Sequence, residues 1–386
     1  MRVHARYSRR QILKVGGAVA VAAMLDVADI LGPRAAVAGT RHRWTISEHL
    51  PSDGVFETPA LHPDSTFNAV SVSWRADDPS VPVRAFVRVT AGGDAWSDWI
   101  ELHRDSHGDN SDGRAYCSPL LATGADVQVR IEAAPDAGIH DLVVSVIDTA
   151  GGEEGQARAR AVDPLIDGFI IPRSGWGADE ALRHVDQDIT KPIIWNPSYQ
   201  PVEKIIIHHT ATANDPADAK AALRAIYYFH AVERGWGDIG YNFVVDWQGN
   251  VYEGRFGGPN VIAGHALQYN YGSMGIALLG NFDVAEPPEA ALDALVRLIT
   301  VRAPHIDVTA AADFVDLVNV PNLCGHGDVL PTSCPGALAA EQLPALRGRI
   351  AGTEPVYLAP PILKEALRVV AREIGPATVY TGNVLE

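Results

Sequence analysis

The chain has 386 residues, 47% of them apolar and 20% charged, and Asp+Glu outnumber Lys+Arg by 47 to 31 for a formal charge of −16. That length suits two domains, and the composition is that of a globular protein with a sizeable core rather than of a disordered chain. The acidic balance, with no run of Lys or Arg after residue 14, excludes broad nucleic-acid binding by counterion release. Three cysteines exclude a disulfide framework and leave at least one thiol for chemistry or a metal.

Residues 1–38 read as an export signal. Arg2, Arg6, Arg9, Arg10 and Lys14 precede an apolar stretch over 15–25, and Ala36, Val37 and Ala38 supply a small-x-small cleavage site. The stretch is too short to anchor in a bilayer. Ser8, Arg9, Arg10, Gln11, Ile12, Leu13 and Lys14 resemble a twin-arginine signal, which implies export of an already folded protein. The mature protein is therefore expected outside the cytoplasm with no membrane anchor.

Between 41 and 150 the apolar pattern has period two in short runs. These are Val70, Val72, Trp74; Val83, Ala85, Val87, Val89; Val127, Val129, Ile131; and Leu142, Val144, Val146. Gly, Pro and Asp punctuate the runs, so an antiparallel β-sandwich without helices is predicted. Trp96 and Trp99 either fill its core or edge or offer flat faces to sugars, and Cys117 reads as a small buried hydrophobe. Residues 151–163 lose all periodicity and read as a linker.

Over 164–350 strands alternate with helices. An apolar strand ends in His208 and His209, and Asp215 followed by Pro216 predicts a helix through Leu223, Ile226 and Tyr227 to about Gly235. Residues 241–246 and 251–255 predict a hairpin about Gly249, and 274–279 a buried strand. Helices are expected from Glu289, carrying Leu292, Leu295, Val296 and Ile299, and over 337–349. The expected class is α/β, a mixed central sheet flanked by helices and preceded by the β-sandwich, with 351–386 as a tail.

Chemistry concentrates at two places. Strand alternation sends only one of His208 and His209 to any given face, and a Gly- and Pro-rich loop carries His326 and Cys334 eight residues apart. Two imidazoles and one thiolate leave the fourth tetrahedral position of Zn²⁺ to water, the arrangement of a catalytic rather than a structural site. Arg255 suits a carboxylate, since a guanidinium offers a planar fork of donors, or is a solvated hairpin cation. Cys324 could bridge to Cys117 in an oxidising compartment, whereas a bridge to Cys334 would destroy the metal site, and the sequence leaves the fate of Cys117 and Cys324 open.

Six stretches in order carry a family resemblance: Arg173-Ser174-Gly175-Trp176-Gly177-Ala178; Ile207-His208-His209-Thr210-Ala211-Thr212; Gly235-Trp236-Gly237-Asp238-Ile239-Gly240-Tyr241-Asn242-Phe243; Val251-Tyr252-Glu253-Gly254-Arg255; Gly264-His265-Ala266; and the loop 325–336. Together they resemble the peptidoglycan recognition protein and type 2 N-acetylmuramoyl-L-alanine amidase family over about 165–350. The resemblance implies a zinc amidase that cuts between the lactyl group of N-acetylmuramic acid and the L-alanine of the peptidoglycan stem peptide. It implies His208, His326 and Cys334 as ligands, with His209 a neighbour available to substrate. Tyr241 falls at the position of the catalytic tyrosine, Thr332 where some relatives carry Lys, and His265 at a cleft position that contacts substrate. Phe256-Gly257-Gly258-Pro259 departs from the Gly-Trp pair that accompanies a diaminopimelate preference in some members, so the stem type is open. Two alternatives stand beside hydrolysis by zinc: a module that binds peptidoglycan without cutting it, against which Cys334 speaks, and a cysteine hydrolase using Cys334 and His326, which leaves His208 idle.

Overall fold

The computed structural model describes residues 40–46, 50, 54–105, 112–134, 137–149 and 168–353. The expected signal, the linker and all but the first three residues of the tail lie outside the described residues.

The first part contains, among the described residues, β1 (Thr40–Ile46), β2 (Val55–Glu57), β3 (Phe67–Ala76), β4 (Val83–Thr90), β5 (Ile100–Glu101), β6 (Ala115–Tyr116), β7 (Leu120–Gly124), β8 (Asp126–Ala133) and β9 (Ile139–Asp148). One antiparallel sheet runs β1-β9-β3-β6, with β7 also paired to β3, and a second runs β2-β8-β4-β5. Along β8 the alternation is clean: Val127, Val129 and Ile131 are buried, while the residues between them are partly exposed. They share one apolar core with Val70, Val72, Trp74, Leu142, Val144, Val146 and Cys117.

Strands β3 and β9 break the expected pattern, because Ala69, Ser71, Ser145 and Ile147 on their other face are buried as well. Helix α1 (Ala219–Tyr228) covers that face: Ala69 and Ile147 cluster with Ala222, Leu223 and Ile226. On the second sheet, guanidinium groups alternate with rings. Arg84 and Arg130 lie 4.7 and 4.6 Å from the centre of Phe86, Arg130 and Arg88 lie 4.9 and 4.6 Å from Trp99, and Arg88 lies 5.2 Å from Trp96. The two tryptophans are thus engaged by arginines of their own sheet.

The second part is a mixed sheet in the order β10 (Ile170–Ile171), β13 (Val251–Glu253), β12 (Phe243–Val245), β14 (Ser273–Leu278), β11 (Lys204–His209), β17 (Leu323–Gly325), with β15 (Ala311–Phe314) and β16 (Leu317–Pro321) a separate hairpin. Only β12 and β13 pair antiparallel within the six. Alternation divides the sheet's two faces. Ile205, Ile207, Ile276 and Leu278 pack on α2 (Glu289–Arg302) and α3 (Ala337–Ala351), while Val244 and Ala277 pack on α1. No helix among the described residues is long and apolar enough to cross a membrane.

Two local expectations shift. Helix α1 begins later than Asp215, which adopts φ 46°; the cap is Asp218, whose Oδ1 accepts the Ala221 N–H at 2.9 Å. Its α-helical part stops at Tyr228 and continues as a single π turn, Phe229–Glu233, closed by Arg234 N–H to Phe229 O at 2.9 Å. The other shift is at Cys324 and Gly325, read as loop. They form β17 instead, which puts His326 at a strand end. Leu298, fully buried between α2 and the sheet, offers a test of this core. Leu298→Ala is expected to lower the unfolding free energy by about 2–5 kcal/mol in a urea titration.

Candidate metal centre

Parallel pairing builds the centre. Ile207 pairs with Gly325, so the next residue of each strand, His208 and His326, leaves the sheet level with the other, ring centroids 4.4 Å apart. The chain then turns back and is fastened: Gly327 N–H donates to Cys334 O at 2.7 Å, and Cys334 N–H donates to Thr332 Oγ1 at 3.2 Å. Cys334 Sγ accepts the His209 N–H at 3.4 Å and lies 3.6 Å from His208 Nδ1. One donor atom from each of His208, His326 and Cys334 lies within 4.8 Å of the others, at exposures of 0, 0 and 1%. Ligands at Zn–N and Zn–S bond lengths in a tetrahedron are separated by about 3.6 Å, so the sulfur–nitrogen separation fits zinc. Burial pushes the Cys334 thiol up, which keeps it protonated until a cation displaces the proton.

The second nitrogen of His208 is also committed. Nε2 lies 2.9 Å from His265 Nδ1, His265 Nε2 lies 3.3 Å from Ser273 Oγ, and Ser273 donates to Tyr269 O at 2.5 Å. A single proton order satisfies this chain and turns the lone pair of His208 Nδ1 toward the sulfur, the usual device for aiming a metal-binding imidazole. Gly275 makes room for it, since a Cβ there would overlap the His265 ring. The resemblance implies a substrate contact for His265; the structure buries it completely and gives it to His208.

Tyr241 is 2% exposed, its ring 5.6 Å from that of His208 and edge-on to His230 at 5.4 Å. Burial holds its phenol well above the usual range, with the Asp105 carboxylate adding to the effect, so it stays protonated at neutral pH. His209 leaves the strand on the opposite face, fully buried, where its Nδ1 accepts the Phe282 N–H at 3.2 Å. Thr332 is half-buried, its hydroxyl bracing the Cys334 amide. Arg255 is no surface cation: it is 2% exposed, 3.8 Å above the Trp195 ring, and its Nε and Nη1 have no hydrogen-bond partner among the described residues. Burial lowers it to about 10, with Arg173 and Arg183 adding to the effect and Asp238 opposing it. All three cysteines are free and buried, so no bridge joins Cys117 to Cys324. The sequence reading missed Ser273, Gly275 and His230 around the centre. His230 had a signal in its place on the helix ending before Gly235, whereas Ser273 and Gly275 had none.

A family model described as N-acetylmuramoyl-L-alanine amidase matches residues 198–337. Peptidoglycan-recognition protein LB of Drosophila melanogaster is 32% identical over 202 residues, 50% of this chain and 76% of that protein. Peptidoglycan-recognition protein SC2 of Drosophila simulans is 38% identical over 43% of this chain and 80% of its own length. The N-acetylmuramoyl-L-alanine amidase of Homo sapiens is 36% identical over 192 residues, 30% of that longer protein. Among solved structures, wild-type Drosophila PGRP-LB aligns over 45% of this chain and 91% of its own at 33% identity and a TM-score of 0.34. The chain belongs to the family of peptidoglycan-recognition proteins and N-acetylmuramoyl-L-alanine amidases.

Two outcomes follow for the metal. His265→Ala is expected to weaken Zn²⁺ binding about 10–100-fold, read by competition with a chromophoric chelator. Because binding must expel the proton that burial keeps on Cys334, the apparent affinity rises with pH, by about tenfold per unit above neutrality if one proton leaves.

Proposed function

We propose that the protein is a zinc-dependent N-acetylmuramoyl-L-alanine amidase, hydrolysing the amide between N-acetylmuramic acid and the L-alanine of the peptidoglycan stem. The observation that carries this reading is the convergence of His208, His326 and Cys334 within 4.8 Å, a donor set with one tetrahedral position left over. When bound, Zn²⁺ supplies Lewis acidity to the scissile carbonyl and makes water a nucleophile near neutral pH.

The chain's own residues do the rest. His265 holds His208 in the orientation that binding needs. Tyr241, kept protonated, donates a hydrogen bond to the carbonyl oxygen as negative charge develops there. Thr332 fixes the thiol loop through the Cys334 amide, and its hydroxyl proton is directed to substrate. His209 acts through the Phe282 amide and the loop beside it. Arg255, with two unsatisfied N–H groups, pairs with a carboxylate of the stem peptide.

In this reading residues 41–150 are a β-sandwich accessory domain and 164–350 the amidase domain. The partner is peptidoglycan and not nucleic acid, and the protein works outside the cytoplasm after export by its twin-arginine-like segment. A cysteine nucleophile is disfavoured: the Cys334 thiol is 1% exposed and held protonated by burial, the opposite of an activated thiolate.

The test is digestion of purified peptidoglycan by the full chain, with mass analysis of the fragments. New L-alanine amino termini are expected, lost with a chelator and restored by Zn²⁺, while Cys334→Ser loses the activity and still binds the wall. Wall binding with no new amino termini would leave a binding module. Activity that survives metal removal and dies on thiol alkylation would leave a cysteine hydrolase.

A further inference from the structure

The π turn that follows α1 changes the use of one carbonyl. In an α-helix the Arg234 N–H would bond His230 O; here it bonds Phe229 O at 2.9 Å, and His230 O is left to accept the Trp236 N–H at 3.1 Å. Ala231 O likewise accepts the Gly237 N–H at 3.1 Å. The turn thus fastens the start of the loop that leads to Tyr241. Its last residues are held from the two-sheet region: Glu233 lies 2.7 Å from Arg41, and Arg234 Nε lies 3.2 Å from Asp105 Oδ2, both side chains of that second pair 1% exposed.

The His230 side chain fastens the other end of that loop. It is 3% exposed, its ring stacks on Trp236 with centroids 4.9 Å apart at 27°, and its Nδ1 accepts the Gly240 N–H at 3.2 Å. Accepting there uses the Nδ1 lone pair, so a neutral His230 carries its proton on Nε2. Gly240 is the residue before Tyr241, and the Tyr241 ring packs on that of His230 at 5.4 Å and 68°. On its following side Tyr241 is pinned by the sheet: Arg255 N–H donates to Tyr241 O at 2.8 Å, and Asn242 N–H donates to Gly275 O at 3.0 Å. On its preceding side the side-chain anchor is His230.

We infer that His230 is a positioning residue of the hydrolytic site: by holding the Gly240 amide and backing the Tyr241 ring, it sets where the phenol lies beside His208. A phenol stabilises a developing oxyanion only when its O–H is aimed at that oxygen, and a misplacement of about 1 Å costs up to about 10²-fold in rate. The π turn is what makes this possible, because it frees the His230 carbonyl for the loop while the side chain reaches the loop's far end. The inference rests on the amidase reading for the role of Tyr241.

The experiment uses the full zinc-loaded chain and a soluble N-acetylmuramoyl peptide as substrate, with folding and zinc content checked on each variant. His230→Phe keeps a ring without an acceptor, His230→Asn keeps an acceptor near the Nδ1 position, and His230→Gln carries its acceptor one bond further out. His230→Phe is expected to lower kcat by about 10–100-fold with KM within about twofold, and His230→Asn to recover most of that loss. On a Tyr241→Phe background, itself slower by about 10²–10³-fold, His230→Phe should cost no more than about twofold, since residues that act as one unit are not additive. Crystal structures of the variants read the phenol position directly: displaced by about 1 Å or more in His230→Phe and in place in His230→Asn. Wild-type kcat or an unmoved phenol in a folded, zinc-loaded His230→Phe would overturn the inference and leave the amidase reading intact, as would a loss that persists in full on the Tyr241→Phe background. Should His230→Phe not fold, the other two variants decide: equal kcat and the same phenol position in His230→Asn and His230→Gln would overturn it equally. If the wild type cuts nothing, the amidase reading fails, and the phenol positions still decide whether His230 places Tyr241.

Discussion

The register between β11 and β17 is the constraint on which the centre depends. Ile207 opposite Gly325 makes His208 and His326 neighbours at the end of two parallel strands. A slip of one residue would turn His326 to the other face of the sheet, since side chains alternate with period two. The register is held from both sides. Leu323 is buried among residues of α2 and α3, and Cys324 packs with Ile206 and Tyr269 on the other face. The strands thus supply two donors with little freedom, and the loop that brings Cys334 is tied to them through the His209 and Gly327 amides.

Burial at this junction does two further things. It keeps a thiol and a phenol protonated beside the imidazoles, so neither offers a negative charge to a cation until the thiol yields its proton. It also demands partners for the imidazole nitrogens that do not face the donors' common point. The run from His208 through His265 and Ser273 to Tyr269 O answers that demand, and it is why Gly275 sits where a side chain would crowd His265.

Much of this was legible in the residues. Period two over Val127, Val129 and Ile131, and helical spacing over Leu292, Leu295 and Ile299, each mark one buried face, and each appears as expected. The ligand types and the two stretches that carry them were legible for the same reason, since chemistry restricts which residues serve. What escaped depends on contacts between distant segments. Cys324 and Gly325 form a strand only because β11 offers an edge; Gly-rich sequence by itself reads as loop. The second faces of β3 and β9 are buried because α1 lies on them, which no pattern within those strands records. Arg255 looks like a solvated hairpin residue until Trp195 covers it. Asp105 carries no local signal at all, because its meaning lies in a seam between parts of the chain about a hundred residues apart.

The account of the site presupposes a cation held by two imidazoles and a thiolate. Zinc absorption-edge spectroscopy on the full chain, loaded with one equivalent of Zn²⁺, probes that premise most directly. The account predicts a four-coordinate shell with two nitrogens at about 2.0–2.1 Å, one sulfur at about 2.3 Å and one further light atom from solvent. A shell without sulfur, or one closed by four protein donors, would contradict it.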